Sequence, residues 1–143
     1  MTQDSFKILS LKKKHVPYVI QLLQELSEFS PPYIDVEKIW NLFKAQTNVY
    51  ALVACEGNNI LSYGSIHIYR NIRGSNIGFI EDVVTSRKHR NRGIGMKVLD
   101  ALERIANENH CYKIVLQSTK NSSAFYQKLG FSLNDGSGMV KFT

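Results

Sequence analysis

No apolar run in the sequence is long enough to span a membrane, and the opening stretch MTQDSFKILSLKKKH lacks the basic, then apolar, then small-residue order of a secretory signal. The expected setting is the cytoplasm, with no membrane partner. Only two cysteines occur, Cys55 and Cys111, in separate segments and without CxxC or Cys/His spacing. That argues against a disulfide framework and gives no zinc signature, so no metal is expected and both thiols read as structural. Repeats, low-complexity tracts and linker-like stretches are missing as well, which leaves 143 residues for one domain with one core.

Positive charge is what the chain has in excess. A formal net charge of +6 and an isoelectric point near 9.4 imply an anionic partner: nucleic acid, a lipid surface or a phosphorylated small molecule. Arg87, Lys88, Arg90 and Arg92 crowd together just ahead of Gly93, Gly95 and a long helical pattern. No recognition motif for nucleic acid accompanies them, so no nucleic-acid partner is expected.

Periodicity supplies the element order. SFKILSL reads as an opening strand, and VPYVIQLLQELSEF then sets Val16, Ile20, Leu23 and Leu26 at helical intervals, with Pro17 in the first turn. SPPYID ends that helix, and Asp35 caps a second one carrying Val36, Ile39, Trp40 and Phe43 on one face. NVYALVAC and NILSYGSIHIY form a hairpin around EGNN, followed by the strand IGFIEDVVTS. A helix from about Gly93 to Asn109, the strand CYKIVLQS and a short helix in NSSAFYQKLG come next, the last ended by Gly130 in a left-handed cap. FSLND and GMVKFT are expected to close the sheet as a hairpin around DGSG. The order is that of one mixed α/β domain.

A strand that runs through a glycine-rich turn into a helix leaves several N–H groups pointing outward, where the aligned peptide dipoles add roughly half a positive charge. Glycine allows close backbone approach and positive φ, and the surrounding cations raise the potential, so an anion such as a pyrophosphate would offset the crowding. A solvated basic loop is the competing reading of RNRGIG taken alone. It is not a P-loop, because the Gly-Lys-Ser/Thr ending is absent, and the third glycine of the dinucleotide GxGxxG pattern is missing.

Arg90-Asn91-Arg92-Gly93-Ile94-Gly95 resembles the Arg/Gln-x-x-Gly-x-Gly/Ala pyrophosphate motif of the GNAT N-acetyltransferases. Asn121-Ser-Ser-Ala-Phe125-Tyr126-Gln-Lys-Leu-Gly130-Phe131 is similar to that family's later motif. The resemblance covers essentially the whole chain. It implies one acetyltransferase domain over residues 1–143, with a mixed, splayed sheet of about six to seven strands and about four helices. It also implies acetyl-CoA as cosubstrate, its pantetheine arm added like a strand along Val83, Val84 and Thr85. Its pyrophosphate would be taken by Arg90, Asn91, Arg92, Gly93, Ile94, Gly95 and Met96, with Asn121, Phe125 and Tyr126 contributing from the later motif. Homodimers are implied too.

Acetyl transfer to an amine needs a neutral nucleophile, donors for a developing oxyanion and a proton for the departing thiolate. Tyr126 matches the family tyrosine near the thioester sulfur, and Glu81 is the better candidate base. Asp82, adjacent on the same strand, is expected to point to the opposite face. His67 reads as a structural or substrate-wall residue, and direct transfer is expected rather than a covalent route through Cys111. GFIEDVV, CYKIVL and FYQKLGF look most like the glucosamine 6-phosphate N-acetyltransferases, which implies a small, phosphorylated amine as acceptor. Gln117 stands where those enzymes carry Asp or Glu and cannot pair with an ammonium as a carboxylate would. A noncatalytic acyl-CoA-binding module and an enzyme acting on a peptide or protein amine both stay open.

Overall fold

The computed structural model describes residues 5–29 and 35–143. Five strands form one sheet in sequence order: β1 (Lys7–Ser10), β2 (Val49–Glu56), β3 (Asn59–Arg70), β4 (Asn76–Thr85) and β5 (Cys111–Leu116). The first four pair antiparallel, while β5 lies parallel to β4. Helix α3 (Ile94–Glu108) makes the crossover that a parallel pair requires. Helices α1 (Val16–Leu23) and α2 (Val36–Lys44) precede β2, and α4 (Ser123–Lys128) follows β5. The break at SPPYID falls mostly outside the described residues, but the cap beyond it is seen: the Lys38 N–H donates to Asp35 Oδ1 at 3.1 Å.

Both faces of the sheet are covered, which explains why β2 and β3 read as near-continuous apolar runs rather than clean alternation. On one face α3 presents Ile94, Val98, Leu102 and Ala106, four residues apart and all buried, to Leu52, Ile66 and Ile80. On the other, Val19 and Leu22 of α1 pack on Val53, Tyr63 and Val84. The face of α1 that meets the sheet is thus Val16, Val19 and Leu22 rather than the expected Val16, Ile20, Leu23 and Leu26. The helix also stops at Leu23, six residues early, because the Gln24 side-chain amide turns back on Phe29. It donates to the Phe29 carbonyl at 3.0 Å and accepts from its N–H at 2.9 Å.

The closing hairpin does not form. Residues 131–143 carry no strand, so the sheet has five strands instead of six to seven. Ser132, Asn134 and Asp135 are poor strand formers, the connection holds two glycines, and an isolated hairpin is marginal in water. Leu133, Met139, Val140 and Phe142 are exposed in consequence.

His15 makes the junction before α1 sensitive to pH. Its ring is buried, and its Nδ1 accepts the Lys12 N–H at 3.0 Å, a bond that requires an unprotonated nitrogen. Burial first, then the neighbouring Lys14 and Lys12 charges, pull its pKa below the ordinary 6.5. The unfolded chain therefore binds the proton more readily, and this contribution to stability is complete above the unfolded value and lost as pH falls through the folded one. The urea midpoint is expected to drop between about pH 7.5 and about pH 5.5, and His15→Asn, which keeps an acceptor but cannot titrate, is expected to flatten that drop. Equal pH slopes in the two proteins would contradict this assignment.

Candidate active site

Strands β4 and β5 pair only where Asn76–Ile80 meets Cys111–Leu116. Beyond Ile80, β4 continues through Glu81 to Thr85 with β3 on one side and no strand on the other among the described residues, which leaves that backbone edge open. A cleft of about 730 Å³ opens in the gap. Phe79, Glu81, Asp82 and Val83 form its β4 wall, and Gln117, Thr119, Ser122 and Tyr126 face them.

A bulge shapes the β4 wall. Tyr63 pairs with Val84 and Ser65 with Glu81, so two residues, Asp82 and Val83, oppose Gly64 alone. Asp82 takes up the extra length at φ 56°, a left-handed conformation that non-glycine residues seldom hold. The bulge interrupts the alternation expected of neighbouring strand residues, and Glu81 and Asp82 both line the cleft. Hydroxyls of the neighbouring β3 pin the bulge: Ser65 Oγ donates to the Glu81 carbonyl at 3.2 Å, and Ser62 Oγ to the Val84 carbonyl at 2.8 Å. The nearby Tyr63 phenol is pushed up to about 12, chiefly by burial, against a lowering by the Ser65 hydroxyl, with the Asp82 and Glu81 charges adding to the rise. It stays neutral at any physiological pH.

From Thr85 the chain passes a 3-10 turn at Arg87–His89 and two left-handed residues, Asn91 (φ 68°) and Gly93 (φ 72°), into α3. Gly93 caps that helix without a side-chain bond, and the first intrahelical bond runs from Lys97 N–H to the Gly93 carbonyl at 3.1 Å. The N–H groups of Ile94, Gly95 and Met96 precede that bond and lack intrahelical acceptors, as the geometry of any helix start dictates. At Gly95 a Cβ would come within 2.9 Å of Thr85 Oγ1, so glycine lets the helix start close on the end of β4.

Two of the four clustered cations already have carboxylates. Arg92 reaches Glu56 at 3.0 Å and His89 Nδ1 at 3.2 Å; Arg87 meets Glu25, whose Oε1 accepts the Arg87 backbone N–H at 2.9 Å. Hydrogen bonds from Ser5 and then Arg92 hold the Glu56 carboxyl below the usual range. Lys88 and Arg90 make no ion pair among the described residues, so their charge remains available to an anion.

Tyr126 owes its place to the end of α4. Gly130, at φ 96°, closes a Schellman motif in which Gly130 N–H bonds the Gln127 carbonyl and Phe131 N–H the Tyr126 carbonyl, both at 3.1 Å. The motif carries Phe131 against Tyr126, ring centroids 5.9 Å apart and edge to face, while Phe125 flanks it at 5.3 Å. Burial raises the phenol's pKa above its ordinary value.

Of the residues singled out from sequence, Glu81, Asp82, Val83, Gln117 and Tyr126 line the cleft. Val84 and Ile94 turn their side chains into the core, so only their backbones could serve a ligand. Arg90, Asn91, Arg92, Gly93, Gly95 and the exposed Met96 form the loop and helix start. Asn121 and Phe125 lie outside the cleft lining, as does His67, which pairs with Val49 and Phe79 and has an unbonded Nδ1. Leu26, Thr119 and Ser122 line it without having been foreseen. Ser122 Oγ accepts the Thr119 N–H at 3.0 Å, the kind of hydroxyl turn before a helix that Thr-Lys-Asn-Ser could have signalled.

The model of the acetyltransferase (GNAT) family matches residues 17–131. The chain belongs to that family. This acetyltransferase is 31% identical over 122 residues to the glucosamine 6-phosphate N-acetyltransferase of Trypanosoma brucei brucei, covering 81% of this chain and 82% of that one. Over 80 residues it is 38% identical to the probable glucosamine 6-phosphate N-acetyltransferase 2 of Oryza sativa subsp. japonica, a match that takes in 54% of this chain and about half, 48%, of the rice protein. Its fold superposes on the crystal structure of the Arabidopsis thaliana glucosamine-6-phosphate N-acetyltransferase with a TM-score of 0.85 at 26% identity, over 97% of this chain and 99% of that one. The acetyltransferase is an N-acetyltransferase by this kinship. No described helix is long and apolar enough to cross a membrane, and no group of three or more His, Cys, Asp or Glu among the described residues is placed to hold a metal ion.

Proposed function

We propose that this enzyme moves an acetyl group from acetyl-CoA directly to the primary amine of a small molecule. The observation that carries the reading is the continuity of three features: the open edge of β4 from Glu81 to Thr85, the start of α3 that it leads into, which has no side-chain cap, and Tyr126 across the cleft. The residues present fit acetyl-CoA. An extended pantetheine can pair with a free strand edge, and a pyrophosphate suits exposed N–H groups beside Arg90 and Lys88. Acetyl-CoA supplies the activated acyl group. Glu81 and Asp82 draw the acceptor's ammonium into the cleft, and Glu81 takes its proton, directly or through a water. Tyr126 donates a hydrogen bond to the departing sulfur.

By kinship, glucosamine 6-phosphate is the first acceptor to test. Release of CoA thiol from acetyl-CoA in the presence of a panel of amines is the expected result. Calorimetric binding of acetyl-CoA with no thiol released by any amine would instead mark a noncatalytic binding module.

The same reading includes a homodimer. The outer edge of β5 has no strand partner among the described residues, Leu133 is exposed in a hollow that it lines with Ile114 and Leu116, and Met139, Val140 and Phe142 are exposed too, features that pairing of two copies would cover. A dimer mass by light scattering at micromolar concentration is expected; a fully active monomer would contradict it.

A further inference from the structure

Next to the cleft, on its α1 side, lies a second hollow of about 400 Å³. The two share Leu26 and Asp82, so a ligand lying in one can extend into the other. Ile20, Leu23 and Leu26 line it from α1 and the turn beyond, with Phe29 and with Ile39 of α2 opposite. Fold stability accounts for only part of this wall, since Leu23 also packs against the Val53 and Tyr63 side of the core. Val16, Val19 and Leu22 already bury α1 against the sheet, whereas Leu26 (49%), Phe29 (42%) and Ile39 (37%) remain open to solvent. Phe29 is nevertheless held in position, because both its backbone groups bond the Gln24 side chain.

Charge around the two hollows has one sign. Glu81 and Asp82 are the acidic residues in their linings, and no Lys, Arg or His is among the described residues that line either. A phosphate entering here would lose its hydration beside two carboxylates and find no counter-charge among the described lining residues. An ammonium would find two. An apolar body attached to it would find the Ile20, Leu23 and Phe29 wall, in a space well beyond the roughly 150 Å³ that admits a benzene ring.

Resting on the acetyltransferase reading, we propose that the acceptor is a primary amine with an apolar body, an arylalkyl or alkyl amine, and not a sugar phosphate. The amine end lies at Asp82 and Glu81, and the apolar end lies between α1 and α2.

The test compares kcat/KM for 2-phenylethylamine, hexylamine, ethanolamine and glucosamine 6-phosphate in the full chain, following thiol release. Both apolar amines are expected to exceed glucosamine 6-phosphate and ethanolamine by at least about tenfold, as filling an apolar pocket does elsewhere. Phe29→Gln and Ile39→Gln, at solvent-open positions where folding is not at risk, are expected to lower the preference for 2-phenylethylamine over ethanolamine about fivefold, mainly through KM. Faster turnover of glucosamine 6-phosphate, or an unchanged preference in both folded variants, overturns the apolar acceptor while leaving the acetyltransferase reading intact. Failure of every amine to release thiol overturns both.

Discussion

Tyr126→Phe is expected to lower kcat by on the order of 10² to 10⁴ while leaving acetyl-CoA affinity nearly unchanged. Phenylalanine keeps the edge contacts with Phe125 and Phe131 that hold the ring, so only the hydroxyl is removed. Burial decides what that hydroxyl can do. Its pKa lies above the ordinary tyrosine value, so it remains protonated over the whole physiological range and is always ready to donate. Full transfer to a thiolate from a phenol whose pKa is raised would run uphill, which favours a hydrogen bond to the growing negative charge and places the loss toward the lower end of the range. The alkaline side of the wild-type rate profile should therefore show no fall from this group below about pH 10, because a raised phenol pKa delays loss of the proton. If folded Tyr126→Phe turns over at the parental rate where chemistry limits turnover, the ring is only a wall of the cleft.

The sequence was most legible where local chemistry and tertiary structure agree. The loop into α3 announced itself because Gly93 and Gly95 are poor helix formers at a place where periodicity demands a helix, and the structure gives each a separate reason: positive φ at Gly93 and the nearness of Thr85 at Gly95. Gly130 was legible for the same reason. Relations across strands were not. The bulge at Asp82 depends on Gly64 of the neighbouring strand, so no spacing within IEDVV could show that two adjacent carboxylates share one cleft. The two apolar stripes of α1 were also merged, since Val19 and Ile20, or Leu22 and Leu23, are interchangeable to a periodicity argument. Packing against Val53 and Tyr63 marks Val19 and Leu22 as the stripe that holds the fold, while Ile20 lines the second hollow and Leu23 serves both. Charge was legible as a sum and not as pairs: the partners of Arg92 and Arg87 lie at Glu56 and Glu25, far away in sequence.

Those pairings make the two glycines, more than the arginines, the decisive test of the anion cradle. Gly93→Val and Gly95→Val are each expected to weaken acetyl-CoA binding at least about tenfold, equivalent to roughly 1.4 kcal/mol. The two act differently. At Gly93 a Cβ meets nothing within 4 Å, so the damage comes from a β-branched residue forced to φ 72°, which would swing the loop and its N–H groups out of line, and from a side chain placed in the space an anion would occupy. At Gly95 the backbone is already helical, and the new Cβ would press on Thr85 Oγ1, which is held at 3.0 Å from Ser62 Oγ and has little room to yield. The start of α3 must then move off the end of β4, separating the N–H groups from the free strand edge. Gly74 provides the control. It has a similar φ of 83° and equally open surroundings, but lies in the turn between β3 and β4, at the far end of β4 from Thr85. Gly74→Val should therefore lose stability as Gly93→Val does and retain its affinity. Calorimetry on folded protein separates the cases: unchanged affinity in both loop variants, or an equal loss in the Gly74 control, would remove the helix start from the binding site.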